Sequence, residues 1–330
     1  MNLSDVTLVI PVRNEEATIG LLWDSIKSQT RQPARVIFVD GGSHDQTVTI
    51  IRHIAAREKR VLLIETDGAM PGEGRNIGIS AATTEWVALT DAGISLNADW
   101  LEQLVERQLE DDSPDVVYGT YDPMIRSHFE ECAAIAYVPA RWSSQATNGR
   151  PFRGPMIFST LLRRRVWSDV GGFPHWRAAE DLIFMRKVEK AGFKIGYAPG
   201  AVVTWQLCED LSALFRKFKL YSTHNVWAGM QAHWHYGIAR HYLLYAVCIL
   251  LGLLAQQPLL LASPLLGYIF RAEKSLYRKR EFRFNRPFLT WAANPLRLGL
   301  VIIILMAIDL ATFSGWLVAT REQKGRKLSQ

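Results

Sequence analysis

Short apolar runs and longer segments with apolar residues three and four apart take turns along the N-terminal part of the chain. Val6 to Val12 is a β-rich run ending in Pro11, Arg13 and Asn14. Ile19, Leu22, Trp23 and Ile26 then recur at helical spacing, and Asn14, Glu15 and Glu16 are expected to open that helix. Residues 35–39 form a second run, closed by Asp40-Gly41-Gly42-Ser43, and Ser43 or Asp45 can cap a helix through Ile51 and Ile54. A third run, 61–64, leads into a loop from Gly68 to Gly74. Arg75 and Asn76 start a small-residue helix, and Trp86 to Leu89 is a fourth run. Four such alternations predict a parallel, doubly wound α/β sheet. Its fourth strand delivers Asp91 to the carboxyl edge, where α/β sheets keep their ligands.

A helix over 98–109 and a strand over 116–119 follow. Regularity is lost over 122–153, which is expected to form loops and a helix above the pocket. A strand-like run at 155–159 precedes a basic helix ending at Gly171-Gly172. Glu180 and Asp181 open a helix through Ala191 that Gly192 stops, and strand pieces follow at 193–197 and 201–205.

The composition shifts after Asp210. Leu211, Leu214, Phe215 and Phe218 alternate with Arg216, Lys217 and Lys219, a basic amphipathic helix suited to a bilayer surface or to packing on the preceding domain. Residues 240–270 are almost wholly apolar, interrupted by Gln256-Gln257-Pro258. One span needs about 20 residues, so this stretch predicts a tight helical hairpin. A clearer span covers 298–318, and Asp309 within it is expected to face protein. The expected division is 1–225 as a cytosolic domain and 226–330 as an interfacial helix and spans near 240–256, 258–272 and 296–319. That describes a multi-pass protein of the inner or cell membrane. The hairpin would keep Arg271, Lys274, Arg278, Lys279, Arg280, Arg283 and Arg286 on the side of the first domain.

With 48% hydrophobic and 21% charged residues, and 11 Trp, disorder is excluded. The net charge of +6 concentrates between Arg271 and Arg297, flanked by apolar stretches, which favours a membrane surface over nucleic acid. Cys132, Cys208 and Cys248 share no ligand spacing, and the N-terminus shows no signal-peptide pattern. His233 and His235, set among aromatics before the apolar stretch, read as an interfacial belt rather than metal ligands.

Several motifs resemble those of family 2 glycosyltransferases. They are the stretch from Val9 to Glu15, that from Val39 to Asp45, Gly74-Arg75-Asn76-Ile77-Gly78, the run from Trp86 to Ala92, and Ala179-Glu180-Asp181-Leu182. The resemblance covers roughly 6–225 and implies a GT-A fold, with its Rossmann-like sheet, followed here by a C-terminal helical membrane region. It also implies a nucleotide-diphosphate sugar donor, a divalent metal (Mn or Mg) and inversion at the anomeric carbon. Pro11, Arg13, Glu15, Asp40, Gly42, Arg75 and Asp91 are the implied donor-binding residues, with Asp40 suited to a uracil or ribose and hence a UDP-type donor. Asp40 could equally cap its own turn. Asp91 stands for the first carboxylate of an Asp-x-Asp metal motif whose second position is Gly93. Trp205 stands where many relatives carry a histidine. Asp181, preceded by Glu180, matches the catalytic base.

These features describe a membrane-anchored inverting glycosyltransferase acting on a lipid-linked or glycan acceptor, with no nucleic-acid partner. A polyprenyl-phosphate sugar synthase and a non-catalytic nucleotide-sugar-binding assembly protein are the alternatives.

Overall fold

The computed structural model describes residues 5–139, 157–279 and 294–328. These fall into two compact units. One runs to Met124 and resumes over 157–206; the other takes 125–139 and the chain from Leu207 onward.

The first unit is a mixed sheet of eight strands in the order β3-β2-β1-β4-β7-β6-β8-β5. Strands β1 (Val6–Val12), β2 (Arg35–Asp40), β3 (Val61–Glu65) and β4 (Trp86–Leu89) are mutually parallel, as the alternating pattern predicts. β4 is buried along its whole length, and Val9, Ile37, Val87 and Leu162 meet in the core. Helices α1 (Ile19–Lys27), α2 (Thr47–Arg57) and α3 (Pro71–Ala81) connect these strands. Beyond β4 the sheet becomes mixed. β7 (Thr160–Arg163) pairs antiparallel with both β4 and β6 (Val116–Met124), and β5 (Ile94–Leu96) antiparallel with β8 (Ile195–Gln206). The two strand pieces expected at 193–205 are this single β8. α4 (Trp100–Leu109) precedes β6.

Other expectations move. α1 starts at Ile19 rather than at Asn14, because Asn14 adopts a positive φ of 55° and turns the chain. Residues Ile157–Ser159 form a 3-10 turn, so the expected strand begins only at Thr160, and the rest of that run lies outside the described residues. So do Arg280, Arg283 and Arg286. α6 (Arg164–Asp169) and α7 (Glu180–Lys190) complete this unit, α7 being followed by Gly192 at φ 76°.

The second unit is helical: α5 (His128–Tyr137), α8 (Leu211–Trp227), α9 (Gln231–Leu254), α10 (Pro258–Leu261), α11 (Ser263–Arg278) and α12 (Pro295–Leu328). α8 packs along α12, which is why the break falls after Gln206 rather than at 225. Trp234–Leu254 and Pro295–Glu322 are long and apolar enough to cross a membrane; 258–272 is not. Asp309 is fully buried, as expected, and accepts from Tyr268 Oη at 2.8 Å and from Arg271 Nη1 and Nη2 at 2.5 and 3.0 Å. His235 is no belt residue: its side chain is fully buried, with Nε2 2.8 Å from Ser222 Oγ.

Candidate active site

The carboxyl ends of β1, β2 and β4 surround a cavity of about 190 Å³, lined by Pro11, Arg13, Glu15, Gly74, Asp91 and Arg177 among others. Ligand pockets usually run to roughly 300–1,000 Å³, so this one is smaller than most. The loops after β1 and β2 are tied together. Asn14 N donates to Ser43 Oγ and His44 N to Asn14 Oδ1, each at 2.9 Å. Asp40 is buried and spends both oxygens on its own turn. Oδ2 accepts from the Gly42 and Ser43 amides at 2.9 Å each, and Oδ1 from Ser43 Oγ at 2.5 Å. Asp40 and Gly42 thus shape the loop and are not in the cavity wall.

Arg75 is 2% exposed and holds two carboxylates from distant parts of the chain. Its Nη2 is 2.5 Å from Asp91 Oδ1 and its Nη1 is 3.0 Å from Glu180 Oε1. Close helix packing makes this reach work. A Cβ at Gly78 would come 2.3 Å from Val9 Cγ1, and one at Gly72 would come 3.2 Å from Glu180 Cγ, so side chains there would push α3 off β1 and away from Glu180. Burial works against the Arg75 charge, but Asp91 and Glu180 more than offset it and raise its pKa.

Ala179, immediately before α7, has φ 69°, an uncommon conformation for a residue with a Cβ. That bend presents Glu180 and Asp181 at the first turn of α7. Glu180 is pushed up to about 7 by burial and by Asp181, with Arg75 opposing. Its Oε2 is buried without a hydrogen-bond partner among the described residues. Asp181 is half-buried and also raised, chiefly by burial, although its Oδ1 accepts the Leu182 amide at 2.7 Å. Glu15 is raised by burial too, even while Thr18 Oγ1 donates to its Oε2 at 2.5 Å. Glu180 is therefore basic enough to take a proton near neutral pH, and Asp181 is shifted in the same direction.

Pro11, Arg13, Glu15 and Asp91 share one cavity wall. Arg75 joins that wall through Asp91, and Glu180 is linked through Arg75. Arg177 was not singled out from the sequence. It is exposed, lines the same cavity and acts electrostatically on Glu15. Its signal in the sequence is slight: one arginine in the loop leading to the acidic pair.

The residues present do not fit a protein-built metal cage. Asp91 has one oxygen committed to Arg75, Gly93 occupies the second acidic position, and Trp205 packs edge-on to Tyr121 at 6.0 Å. Among the described residues no three His, Cys, Asp or Glu side chains come together as a ligand set. The Glu15 carboxylate also comes close, with Oε2 3.6 Å from where a Cβ at Gly93 would stand.

Residues 7–159 match the family model described as "Glycosyl transferase family 2". The O-antigen chain rhamnosyltransferase RfbN of Salmonella typhimurium is 27% identical over 220 residues, covering 60% of this chain and 65% of that protein. The chain spans less than two-thirds of the length of the first curated relatives it matches. Among solved structures, S. aureus TarS 1-349 in complex with UDP aligns with TM-score 0.51 and 16% identity, covering 97% and 92% of the two chains. The mannosyltransferase PcManGT from Pyrobaculum calidifontis, in complex with GDP-Man and Mn2+, aligns with TM-score 0.57 and 18% identity over 93% and 86%. Residues 7–159 are therefore similar to a family 2 glycosyltransferase domain, and the chain shares the GT-A fold of these solved structures.

Proposed function

We propose that this protein transfers a sugar, with inversion, from a nucleotide-diphosphate sugar to a hydroxyl of a lipid-linked or glycan acceptor. The observation that carries the proposal is the buried Arg75 bridge, which connects a cavity-wall carboxylate, Asp91, to the acidic pair that opens α7. A purely structural ion pair has no need of a second, basic carboxylate beside it.

In the proposed reaction the ionised Asp181 accepts the proton of the acceptor hydroxyl as that oxygen attacks the anomeric carbon. The bond from that carbon to the diphosphate breaks, and the nucleoside diphosphate leaves with the electron pair. Attack opposite the leaving group inverts the centre. Arg13 and Arg177 supply positive charge on the cavity wall, where the diphosphate would lie, and Arg75 keeps Asp91 oriented. Glu180 positions Arg75. A bound divalent ion would add charge neutralisation at the diphosphate, with Asp91 as its protein carboxylate; no step above depends on it.

Nucleotide-sugar chemistry is supported by the UDP and GDP-Man named for the two structural neighbours. A glycan acceptor is supported by the O-antigen relative. Membrane attachment, with the first unit on the cytosolic face, is supported by the two long apolar helices of the second unit.

The test is a panel of labelled nucleotide sugars incubated with membranes carrying the full chain. A new glycosidic bond formed with one donor is expected. A sugar phosphodiester would favour the polyprenyl-phosphate synthase, and donor binding with neither transfer nor hydrolysis would favour the non-catalytic alternative.

A further inference from the structure

The helical hairpin of the second unit carries an apolar surface that none of the described residues of that unit covers. On α9, Leu243 is 66% and Leu254 74% exposed, and on the return arm Leu259 is 76% and Phe270 65% exposed. The arms are tightly closed on each other. A Cβ at Gly252 would come 3.0 Å from Leu260, and one at Gly267 would come 2.1 Å from the Tyr245 hydroxyl. The turn is sharp: Gln256 takes φ 53°, and Gln257 N donates to Gly252 O at 2.9 Å.

Where the charges stop decides how deep this element can go. Arg240 and His241 precede the first arm, and Arg271, Glu273 and Lys274 follow the second, with no charged residue from Tyr242 to Phe270. The hydroxyls of Tyr242 and Tyr268 are 2.6 Å apart, which brings both charged boundaries to one level at the base. From there to the tip each arm rises about 18 Å at about 1.5 Å per residue. A hydrocarbon core is about 30 Å thick, so each arm covers little more than one leaflet. A spanning hairpin would need to bury the exposed Arg240 in hydrocarbon.

We infer that residues 242–270 are a re-entrant wedge that enters a single leaflet and returns on the side it came from. This deepens, and rests on, the membrane attachment proposed above. The partner is a lipid bilayer. The leucine-rich arms match its acyl region, and Arg240, Lys274 and Arg278 at the base match anionic headgroups. The Gln256-Gln257 tip then sits near the midplane, where its backbone polar groups are held within the turn.

The experiment uses the full chain carrying Cys248→Ala and Gln256→Cys, reconstituted in closed phosphatidylcholine–phosphatidylglycerol vesicles. Membrane-impermeant maleimide is applied outside, or trapped inside, and the tip is also read by a fluorophore quenched with brominated lipids. Expected are co-sedimentation with vesicles, loss of labelling from both compartments with recovery in detergent, and strongest quenching by bromines deep in the chains. Co-sedimentation with labelling from the compartment opposite the first unit would make the hairpin transmembrane and overturn the inference alone. Failure to co-sediment would overturn the membrane attachment itself.

Discussion

Arg75 and Asp91 meet at 2.5 Å between Nη2 and Oδ1, joining the helix after β3 to the tip of β4. The guanidinium is buried, and its other branch holds Glu180. Replacing it with alanine strands two carboxylates in a desolvated site, which costs about 3–5 kcal/mol. Arg75→Ala is therefore expected to lower the first unit's melting temperature by on the order of 10 °C. Thermal unfolding followed by circular dichroism checks this; an unchanged midpoint would mean the bridge is structurally idle.

Asp181→Asn keeps the shape of the side chain and removes its basicity. Turnover is expected to fall by about 10²–10⁴-fold, the usual contribution of a positioned base. Donor affinity, read by calorimetry with a nucleoside diphosphate, should stay close to that of the native chain. Near-normal transfer by the variant would remove Asp181 from the mechanism.

The acidic pair also predicts a pH profile. Glu180 is raised to about 7 from an ordinary 4.5, and Asp181 is raised with it. Transfer should rise with pH along an acid limb set well above the ordinary carboxylate range. Stability should move the other way. Through this window the unfolded chain has already lost a proton that the folded chain keeps, so the unfolding free energy falls as pH increases. Denaturant midpoints measured between about pH 5 and pH 7 decide the sign.

Gly93 stands at φ 76°, with the Glu15 carboxylate close by. Gly93→Asp would gather three carboxylates, from residues 15, 91 and 93, at one point, at the strain of a left-handed residue with a Cβ. The variant is expected to bind Mn²⁺ more tightly than the native chain, by paramagnetic resonance titration. Equal binding by the two proteins would show that Asp91 and Glu15 do not face a common point.

In the second unit, Asp309→Leu leaves Arg271 without its partner and should be strongly destabilising. Adding Arg271→Leu should recover much of the loss, because a vacated ion pair can be replaced by apolar packing. Thermal unfolding of the two single variants and the double variant in detergent closes the cycle.

Local pattern was enough for the four parallel strands, because each is a short apolar run bounded by turn or helix-opening residues. It was enough as well for the residue types at the strand ends: a strand terminus needs a turn, and Asp, Gly and Asn mark one. The capping role of Asp40 was open from sequence and is closed by three hydrogen bonds within its own turn. What no local pattern carries is contact across long separations. The antiparallel insertion of β7 between β4 and β6, the reach of Arg75 to Glu180, and the place of Arg177 beside Glu15 all depend on how helices and loops far apart in the chain come together. Likewise, the apolar run 240–270 announces lipid by composition, but the depth to which it can enter follows from the Tyr242–Tyr268 contact, which sets both charged boundaries at one height.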